Sequence, residues 1–350
     1  MTARLPDALR SALHEAGSPL ADSKLEAMAD KGLAHHHVRI VGSGVIARLP
    51  KQSQMGLAAK LNLDYQAACF ERAYLSGAAP ALHGVLAPSA ALPRGGLLVE
   101  EIVGRAARLP DDLPAIARAL AAIHALPLPP RHQRPPLQDD DDPLLALWRE
   151  IDAQAAYFDG ARLGPGSRRL IEQQREALRQ RCESTERPSR RLISFDAHPG
   201  NFVIRPDGSA VLVDLEKARY SHPPLDLAHA TLYTSTTWDL EVYTELSLDQ
   251  VATTYATWSA HAGLGEQDHA WFVPLRAAMW LWSVTWCAKW RALAPADVVV
   301  GADGQDWSHR HSEAPLIAHV RERVDHYLSA AVIEQIVGEF TALESRLAQR

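Results

Sequence analysis

The sequence has little cysteine and no excess of basic residues. Its 350 residues include three cysteines, Cys69, Cys182 and Cys287, which lie far apart along the chain. An odd number at such wide spacing fits neither a disulfide framework nor a zinc site, so a reducing, cytoplasmic location is expected. Lysine and arginine number 36 against 42 aspartates and glutamates, a net charge of -6. This balance argues against nucleic acid as a partner, because nucleic-acid binders normally carry a basic excess.

Long uninterrupted apolar runs are also missing. Residues 1–30 have the pattern of an amphipathic helix, and Asp7 and Glu15 interrupt any apolar core of a signal peptide. The most apolar late stretch, residues 271–290, contains Pro274 and Lys289 and is too short and too charged to cross a bilayer. We expect it to be a buried helix, and no membrane partner is predicted.

Apolar residues make up 47% of the chain, enough for two lobes with a real core. Residues 31–103 alternate β-type runs with one helical segment, and HVRIVGSGVIARLP has two such runs around Gly42 and Gly44, a hairpin signal. Beyond residue 104 helical periodicity dominates. The sequence therefore predicts an α+β fold. Residues 1–103 would form a small β-rich lobe with an N-terminal helix, and residues 104–350 a large, mostly helical lobe across a ligand cleft.

The stretch LISFDAHPGNFVIRPDGSAVLVDLE, residues 192–216, concentrates residues suited to chemistry. A turn at Asp207 and Gly208 folds two short strands back on each other, so that Asn201 and Asp214 approach one mouth. An amide oxygen and a carboxylate are hard ligands that suit Mg²⁺. Asp196, earlier on the same loop, is placed to orient a nucleophilic hydroxyl. Phosphoryl transfer from ATP needs this division of labour.

This stretch resembles the catalytic core of the aminoglycoside phosphotransferase and choline kinase family, which has a protein-kinase-like two-lobed fold. HPGN stands at residues 198–201 and VDLE at residues 213–216. The motif PLDLAHA supplies Asp226, which the resemblance places behind the catalytic loop as a buttress. One departure is that Ser194 and Phe195 stand where the family has His-Gly or His-Asn.

The resemblance extends to the small lobe and covers roughly residues 25–240. It implies that a nucleotide loop covers the phosphates, formed by Gly32, Leu33, Ala34 and His35. It also implies that Arg48 contacts the donor phosphates and pairs with Glu71 on the following helix. The link between the lobes, Glu100, Glu101 and Ile102, would meet adenine.

The function that the resemblance implies is transfer of the γ-phosphate of ATP to a hydroxyl of a small molecule. Asp196 would be the catalytic carboxylate, and Asn201 and Asp214 would hold Mg²⁺. A catalytically impaired nucleotide-binding protein is the alternative, which Ser194 and Phe195 keep open. A protein kinase is disfavoured because a Gly-x-Gly-x-x-Gly loop and a long activation segment are absent. Aminoglycoside, choline-like, thiamine and sugar acceptors all stay open, as do GTP as donor and the oligomeric state.

Four further patterns have competing interpretations. The triple histidine at residues 35–37 cannot converge on a metal, because neighbouring strand residues face opposite sides. The acidic run at residues 139–142 is expected to be a solvated loop, the rival being a site that attracts a cationic acceptor. The segment DGQDWSHRHSE, residues 303–313, is expected to be a loop rather than a calcium site. Helically spaced tryptophans are expected in the core, with a cage for an alkylammonium group as the rival; they are Trp280, Trp282, Trp286 and Trp290.

Overall fold

The structure is a computed structural model that describes residues 5–29, 33–263, 265–293 and 314–349, except for the side chains of residues 266 and 267. Two predicted features, Gly32 and the segment 303–313, lie outside the described residues. The predicted α+β arrangement is confirmed: a β-sheet region comes first and a mostly helical part follows it. The boundary between the lobes at residue 103 stays a prediction.

The small lobe is built on one antiparallel sheet of five strands in the order β1-β2-β3-β5-β4. The predicted hairpin is β2 and β3, and it turns at Gly42 and Gly44, whose φ angles of +79° and +70° favour glycine. The elements are α1 (Leu5–Glu15), β1 (Leu25–Ala27), β2 (His35–Ile40), β3 (Val45–Pro50), α2 (Ala59–Tyr74), β4 (Leu82–Leu86) and β5 (Gly96–Glu100).

The prediction of a helix over residues 1–30 is correct only for its first half. Helix α1 ends at Glu15, where Gly17 adopts a φ of +62° and Pro19 follows two residues later. Both residues oppose further helix. The chain then returns as the short edge strand β1, which pairs with β2.

The large lobe holds the catalytic stretch between two small sheets, one of β7 and β10 and one of β6, β8 and β9. No helix in the described ranges is long and apolar enough to cross a membrane. The elements are β6 (Arg105–Ala106), α3 (Leu113–His124), α4 (Pro143–Ala155), α5 (Pro165–Glu183), β7 (Arg191–Ile193), β8 (Phe202–Ile204), β9 (Ala210–Leu212), β10 (Arg219–Ser221), α6 (Pro224–Thr231), α7 (Tyr233–Thr236), α8 (Leu248–Ala262), α9 (Phe272–Leu293), α10 (Ala314–Tyr327) and α11 (Ala330–Leu347).

The buried apolar residues form three clusters, and one of them crosses from lobe to lobe. Helix α1 covers the outer face of the small sheet, with Leu9 and Leu13 among its buried residues. The inner face and α2 belong to a cluster that continues into the large lobe and contains Phe70 of α2, Ile116 of α3 and Leu212 of β9. A third cluster surrounds α9. The shared cluster joins the sheet to the large lobe directly beneath the catalytic stretch.

Helix α2 is tied to the large lobe by polar contacts as well. The Tyr65 hydroxyl donates to the Ala218 carbonyl at 2.7 Å. The Arg72 guanidinium donates to the carbonyls of residues 133–135 and to the Tyr220 hydroxyl, and three of these four bonds measure between 2.7 and 3.0 Å. Because one side chain joins four acceptors on the other lobe, the position of α2 is fixed from both sides.

Candidate active site

A buried chain of hydrogen bonds supports the backbone of the catalytic loop. The Asp226 carboxylate, in the first turn of α6, accepts from the backbone N–H groups of Ser194 at 2.7 Å and Phe195 at 2.8 Å. His124, at the end of α3, lies 3.2 Å from the same carboxylate through Nε2. The indole of Trp258 donates to Nδ1 of that histidine at 2.9 Å, which leaves Nε2–H to donate to Asp226. Asp226 therefore buttresses the loop, as predicted.

The structure accounts for Phe195, the unusual residue just before the predicted catalytic aspartate. Phe195 has a φ of +56°, a left-handed conformation that is strained for a bulky side chain. Its ring is buried, with the guanidinium carbon of Arg219 3.9 Å from the ring centroid and Trp282 in edge contact at 5.2 Å. Glu150 accepts from both neighbours, at 2.7 Å and 3.2 Å. These contacts offset the backbone strain and hold the loop in the shape that glycine would otherwise permit.

Asp196 is held by three neighbours on three sides. Its backbone N–H donates to Ser194 Oγ at 3.1 Å, and its carbonyl accepts from Asn201 Nδ2 at 2.8 Å. Lys217 Nζ lies 2.9 Å from Oδ2 of its side chain, which is only 12% exposed. Burial alone would raise the pKa of Asp196, but the ammonium of Lys217 outweighs it and holds the pKa below its usual range. Asp196 is therefore a carboxylate at neutral pH, with Oδ1 left for a substrate.

The two predicted metal ligands are brought together by the β8–β9 hairpin. The Val213 N–H donates to the Asn201 carbonyl at 2.9 Å, so that Asn201 and Asp214 flank adjacent strand ends. The hydrogen bond from Asn201 Nδ2 to the Asp196 carbonyl orients the amide and leaves its oxygen for a cation. An amide oxygen beside a partly exposed carboxylate is a donor set that fits Mg²⁺.

The structure does not pair Arg48 with Glu71. Arg48 is buried on β3, where its guanidinium donates to the Val213 carbonyl at 3.0 Å and to Asp214 Oδ1 at 2.7 Å. Glu71 is exposed on α2. The face of α2 toward Arg48 is that of Phe70, whose ring centroid lies 5.5 Å from the guanidinium, and the next residue points about 100° away. The predicted Arg48–Glu71 pair is therefore wrong, and Asp214 takes the place of the helical acid.

A buried cluster around His35 lies next to this ion pair. His35 Nε2–H donates to Gln66 Oε1 at 3.0 Å, and its Nδ1 lies 3.4 Å from Arg48 and 3.7 Å from Glu216. Burial, and then the Arg48 charge, lower the pKa of His35 to about 3. Burial and the neighbouring Asp214 raise the pKa of Glu216. With a neutral histidine and a protonated glutamic acid, Arg48 and Asp214 are the charged pair of this cluster.

The other predicted nucleotide residues lie along the cleft between the lobes. The Leu33 carbonyl accepts from Gln52 Nε2 at 3.1 Å, and its side chain reaches the apolar cluster around α9. The Ala34 carbonyl accepts from the Lys51 N–H at 2.8 Å. Leu33 therefore reaches from the small lobe across the cleft to the large lobe.

Some polar groups of the link between the lobes, residues 100–102, already have partners within the protein. The Glu101 N–H donates to the Gly44 carbonyl at 2.8 Å, and its carboxylate pairs with Arg39 at 2.6 Å. Gly104 presses on β8, since a Cβ there would lie 2.3 Å from the Ile204 carbonyl oxygen. The predicted segment 100–102 leads directly into this contact, and its contact with adenine stays a prediction.

The acidic run at residues 139–142 proves to be an ion-pair clamp. Asp139 binds Arg134 at 3.0 Å and Arg190 at 2.7 Å. Asp142 binds Arg187 at 2.6 Å and accepts from the N–H of the first turn of α4. Arg131 pairs with the remaining exposed acid, Asp141. Arginines pair with three of the four carboxylates of the run, and Asp140 accepts from Gln138 Nε2 at 2.7 Å, so much of the charge of this loop is neutralised.

The helically spaced tryptophans divide between core and site. Trp280 and Trp290 are buried, as predicted. Trp282 and Trp286 are only partly buried; Lys217 Nζ lies 5.8 Å from the centroid of the Trp282 ring, and Trp286 contacts Trp238 at 6.1 Å. Sequence reasoning missed Lys217 and the role of Trp282. The signal was there for Lys217, since it directly follows the VDLE motif.

Comparison with known proteins bears on both fold and family. The model of the phosphotransferase enzyme family matches residues 47–264. The choline/ethanolamine kinase family protein of Mesorhizobium loti is 16% identical, with a TM-score of 0.58 over 96% of this chain and 99% of that chain. The ethanolamine kinase of Plasmodium vivax is 12% identical, with a TM-score of 0.59 over 94% and 90%. Aminoglycoside 2'-phosphotransferase-IIIa, solved with GDP, is 13% identical, with a TM-score of 0.58 over 91% and 97%.

No curated protein matches the chain. The solved structures share its fold at these low identities, which confirms the predicted two-lobed arrangement.

Proposed function

The chain belongs to the phosphotransferase enzyme family, and we propose that it transfers the γ-phosphate of ATP to a hydroxyl group of a small molecule. The observation that carries this proposal is the arrangement of Asp196, Asn201 and Asp214. One ionised carboxylate faces the cleft, and an amide oxygen and a second carboxylate lie beside it on the same hairpin. Positioning and charge stabilisation account for most of the catalysis in this class of reaction.

Each group has a role in the proposed transfer. Asp196 accepts a hydrogen bond from the acceptor hydroxyl and orients it toward the phosphorus. Asn201 and Asp214 would hold Mg²⁺, which supplies positive charge against the phosphates when bound. Arg48, which is paired with Asp214, would add its positive charge beside the donor phosphates.

The base and the phosphates of the nucleotide would be met by the small lobe and the link. In this proposal Leu33 and Ala34, which lie just before β2, would cover the phosphates, whereas His35 is buried inside that strand. The N–H groups of Glu100 and Glu101 are already engaged, so other backbone groups within residues 100–102 would meet the base.

The proposal favours an active enzyme over an impaired one. Ser194 and Phe195 were the reason to consider impairment. Both backbone N–H groups are nevertheless held by Asp226, and the Phe195 ring is fixed by Arg219 and Trp282. The loop geometry therefore has full support without the histidine and glycine of the family pattern.

The acceptor class is proposed from the site and its relatives together. The solved relatives are named for choline, ethanolamine and aminoglycosides, which are hydroxyl compounds that carry cationic nitrogen. In this chain, the partly exposed ring of Trp282 lies near Lys217 and Phe195 and offers an aromatic surface to such an acceptor. We propose amino alcohols and amino sugars as the first acceptors to examine, with thiamine and neutral sugars after them.

The test is a nucleotide-consumption screen over a panel of these compounds, with ATP or GTP and with Mg²⁺ present or absent. We expect one class of hydroxyl compound to support Mg²⁺-dependent consumption, and Asp196→Asn to lower turnover by roughly 10²–10⁴-fold with little change in nucleotide affinity. Nucleotide binding without consumption across the whole panel would instead indicate the impaired alternative. A variant with near-wild-type turnover would remove Asp196 from the mechanism.

A further inference from the structure

Lys217 carries a buried charge that none of the family motifs accounts for. Its side chain is 14% exposed and lies just after the VDLE motif. The ammonium lies between the catalytic carboxylate of Asp196, 2.9 Å away, and the ring of Trp282, whose centroid is 5.8 Å away. Taking an ammonium out of water is costly unless it is paired, so a lysine held here needs an explanation.

The pairing with Asp196 uses only part of the hydrogen-bonding capacity of Lys217. An ammonium has three N–H donors, and in the described residues its one hydrogen-bond acceptor is Asp196 Oδ2. Asp214 interacts with it through its charge rather than by a bond. Two N–H groups therefore remain, beside the oxygen that is to orient the acceptor.

Resting on the proposed function, we propose that Lys217 is a second catalytic residue, whose ammonium binds the phosphoryl group as it passes from ATP to the acceptor. A hydroxyl hydrogen-bonded to Asp196 Oδ1 lies about 3 Å from that oxygen, and the phosphorus that it attacks is the next atom along. An ammonium on the other oxygen of the same carboxylate lies beside this path. Positive charge fixed there stabilises the charge on the equatorial oxygens of the phosphoryl group in the transition state.

The step balances without any further reactant. The acceptor oxygen forms a bond to the γ-phosphorus, and the bond from that phosphorus to the β,γ-bridging oxygen breaks, its electron pair leaving with ADP. The hydroxyl proton passes to Asp196 or to the phosphorylated product. Lys217 keeps its three protons throughout and acts by charge and hydrogen bonding alone.

A transition-state analogue tests this without knowledge of the acceptor. We would titrate the full chain calorimetrically with MgADP alone and with MgADP plus tetrafluoroaluminate, the planar anion that stands in for the transferring phosphoryl group, with water in place of the acceptor. Lys217→Met should keep its MgADP affinity within about threefold and lose roughly 10²–10³-fold in affinity for the tetrafluoroaluminate complex. Lys217→Arg should recover most of that loss. Lys289→Met is the matched control, since that ammonium faces the ring of Tyr157 instead.

The outcomes separate this proposal from the proposed function. A wild-type chain that binds no MgADP would overturn both. A wild-type chain that binds both ligands, with a Lys217→Met variant that binds the analogue equally well, would overturn only the role of Lys217 and leave it as a counter-ion of Asp196.

A second comparison covers the case in which Lys217→Met does not fold, because Asp196 is left without its counter-ion. Asp196→Asn removes the need for that counter-ion, so Asp196→Asn can be compared with the double variant Asp196→Asn/Lys217→Met. Weaker analogue binding by the double variant supports the phosphoryl contact, and equal binding contradicts it.

Discussion

At the scale of single residues, the site depends on how a few buried charges are paired. Arg48 pairs with Asp214, and Lys217 pairs with Asp196, so that two cations face two carboxylates at the base of the cleft. The sequence identifies Arg48, Asp214 and Asp196 as site residues, but it identifies neither Lys217 nor these two pairings. Removing either partner leaves a buried charge without compensation, so single substitutions here should act strongly.

Asp214 offers a test of the metal site. Asp214→Ala should abolish the Mg²⁺ dependence of ATP binding, because the hairpin then retains only the neutral oxygen of Asn201 as a ligand. Calorimetric titration of ATP with and without Mg²⁺ measures this. Asp207→Ala is the control, since it removes an exposed carboxylate from the turn of the same hairpin. The same Mg²⁺ dependence in Asp214→Ala as in the wild type would show that Asp214 is not a ligand.

The lowered pKa of the buried His222 side chain should make the stability of the fold depend on pH. Burial is the main cause that lowers the pKa of this histidine to about 4, while the carbonyl of Ser189 lies 3.2 Å from its Nδ1. Between pH 4 and 6.5 the unfolded chain binds a proton that the folded chain refuses, so the free energy of unfolding should fall as the pH is lowered through this window. The slope from one histidine is at most about 1.4 kcal/mol per pH unit.

Urea denaturation of wild type and His222→Gln at several pH values measures that slope. Other buried histidines add slopes of the same sign, so the difference between the two proteins is the quantity to compare. The variant should lose stability less steeply on acidification. Parallel curves between pH 4 and 6.5 would mean that His222 titrates normally in the folded protein.

At the scale of elements, the catalytic loop keeps its shape through one strained residue and its contacts. Phe195→Ala and Phe195→Gly both remove the buried ring, which should cost about 3–5 kcal/mol. Glycine accepts the left-handed backbone of this position, so Phe195→Gly should be more stable than Phe195→Ala by roughly 1 kcal/mol. Thermal and urea unfolding of the three proteins give the comparison. An alanine variant as stable as the glycine variant would show that the backbone strain has been released by rearrangement.

The start of helix α4 depends on the acidic clamp. Asp142 is the N-cap of this helix, and it also binds Arg187. Asp142→Ala should lower the free energy of unfolding by about 1–2 kcal/mol, whereas Asp142→Asn keeps the cap and should lose less than about 1 kcal/mol. Chemical denaturation distinguishes them. Since the charge of the acidic run is largely neutralised by arginine, neither substitution should alter the KM of a cationic acceptor. A higher KM in either variant would indicate that the run attracts the acceptor after all.

How much of these elements the sequence could predict depends on how local their causes are. The β2–β3 hairpin and the positions of Asn201 and Asp214 follow from turn residues a few positions away. The partner of Arg48 does not, because it is decided by how α2 is rotated about its axis, and packing against two lobes sets that rotation. The ion pairs of the acidic run could not be predicted for a similar reason, since Arg187 and Arg190 lie far along the chain from the carboxylates that they bind.

At the scale of the whole molecule, the two predicted lobes exist, but the apolar core does not divide at the link. Helix α2 and the inner face of the small sheet share one cluster with α3, β8, β9 and α8. Periodicity identifies each buried face, yet it cannot say which other face will cover it. The order of the elements was therefore predictable from the sequence, while the packing of α2 against the large lobe was not.

The bonds from Arg72 on α2 to the carbonyls of residues 133–135 have a consequence for control. Protein kinases are switched on and off by moving the equivalent helix, whose glutamate must reach a lysine on the third strand. Here that helix is locked to the opposite lobe, and Arg48 finds its acid at Asp214 instead. A signal that displaced the helix would have no ion pair to break. In the phosphotransferase proposed above, displacing this helix would therefore break the bonds of Arg72 but would not separate Arg48 from its acid.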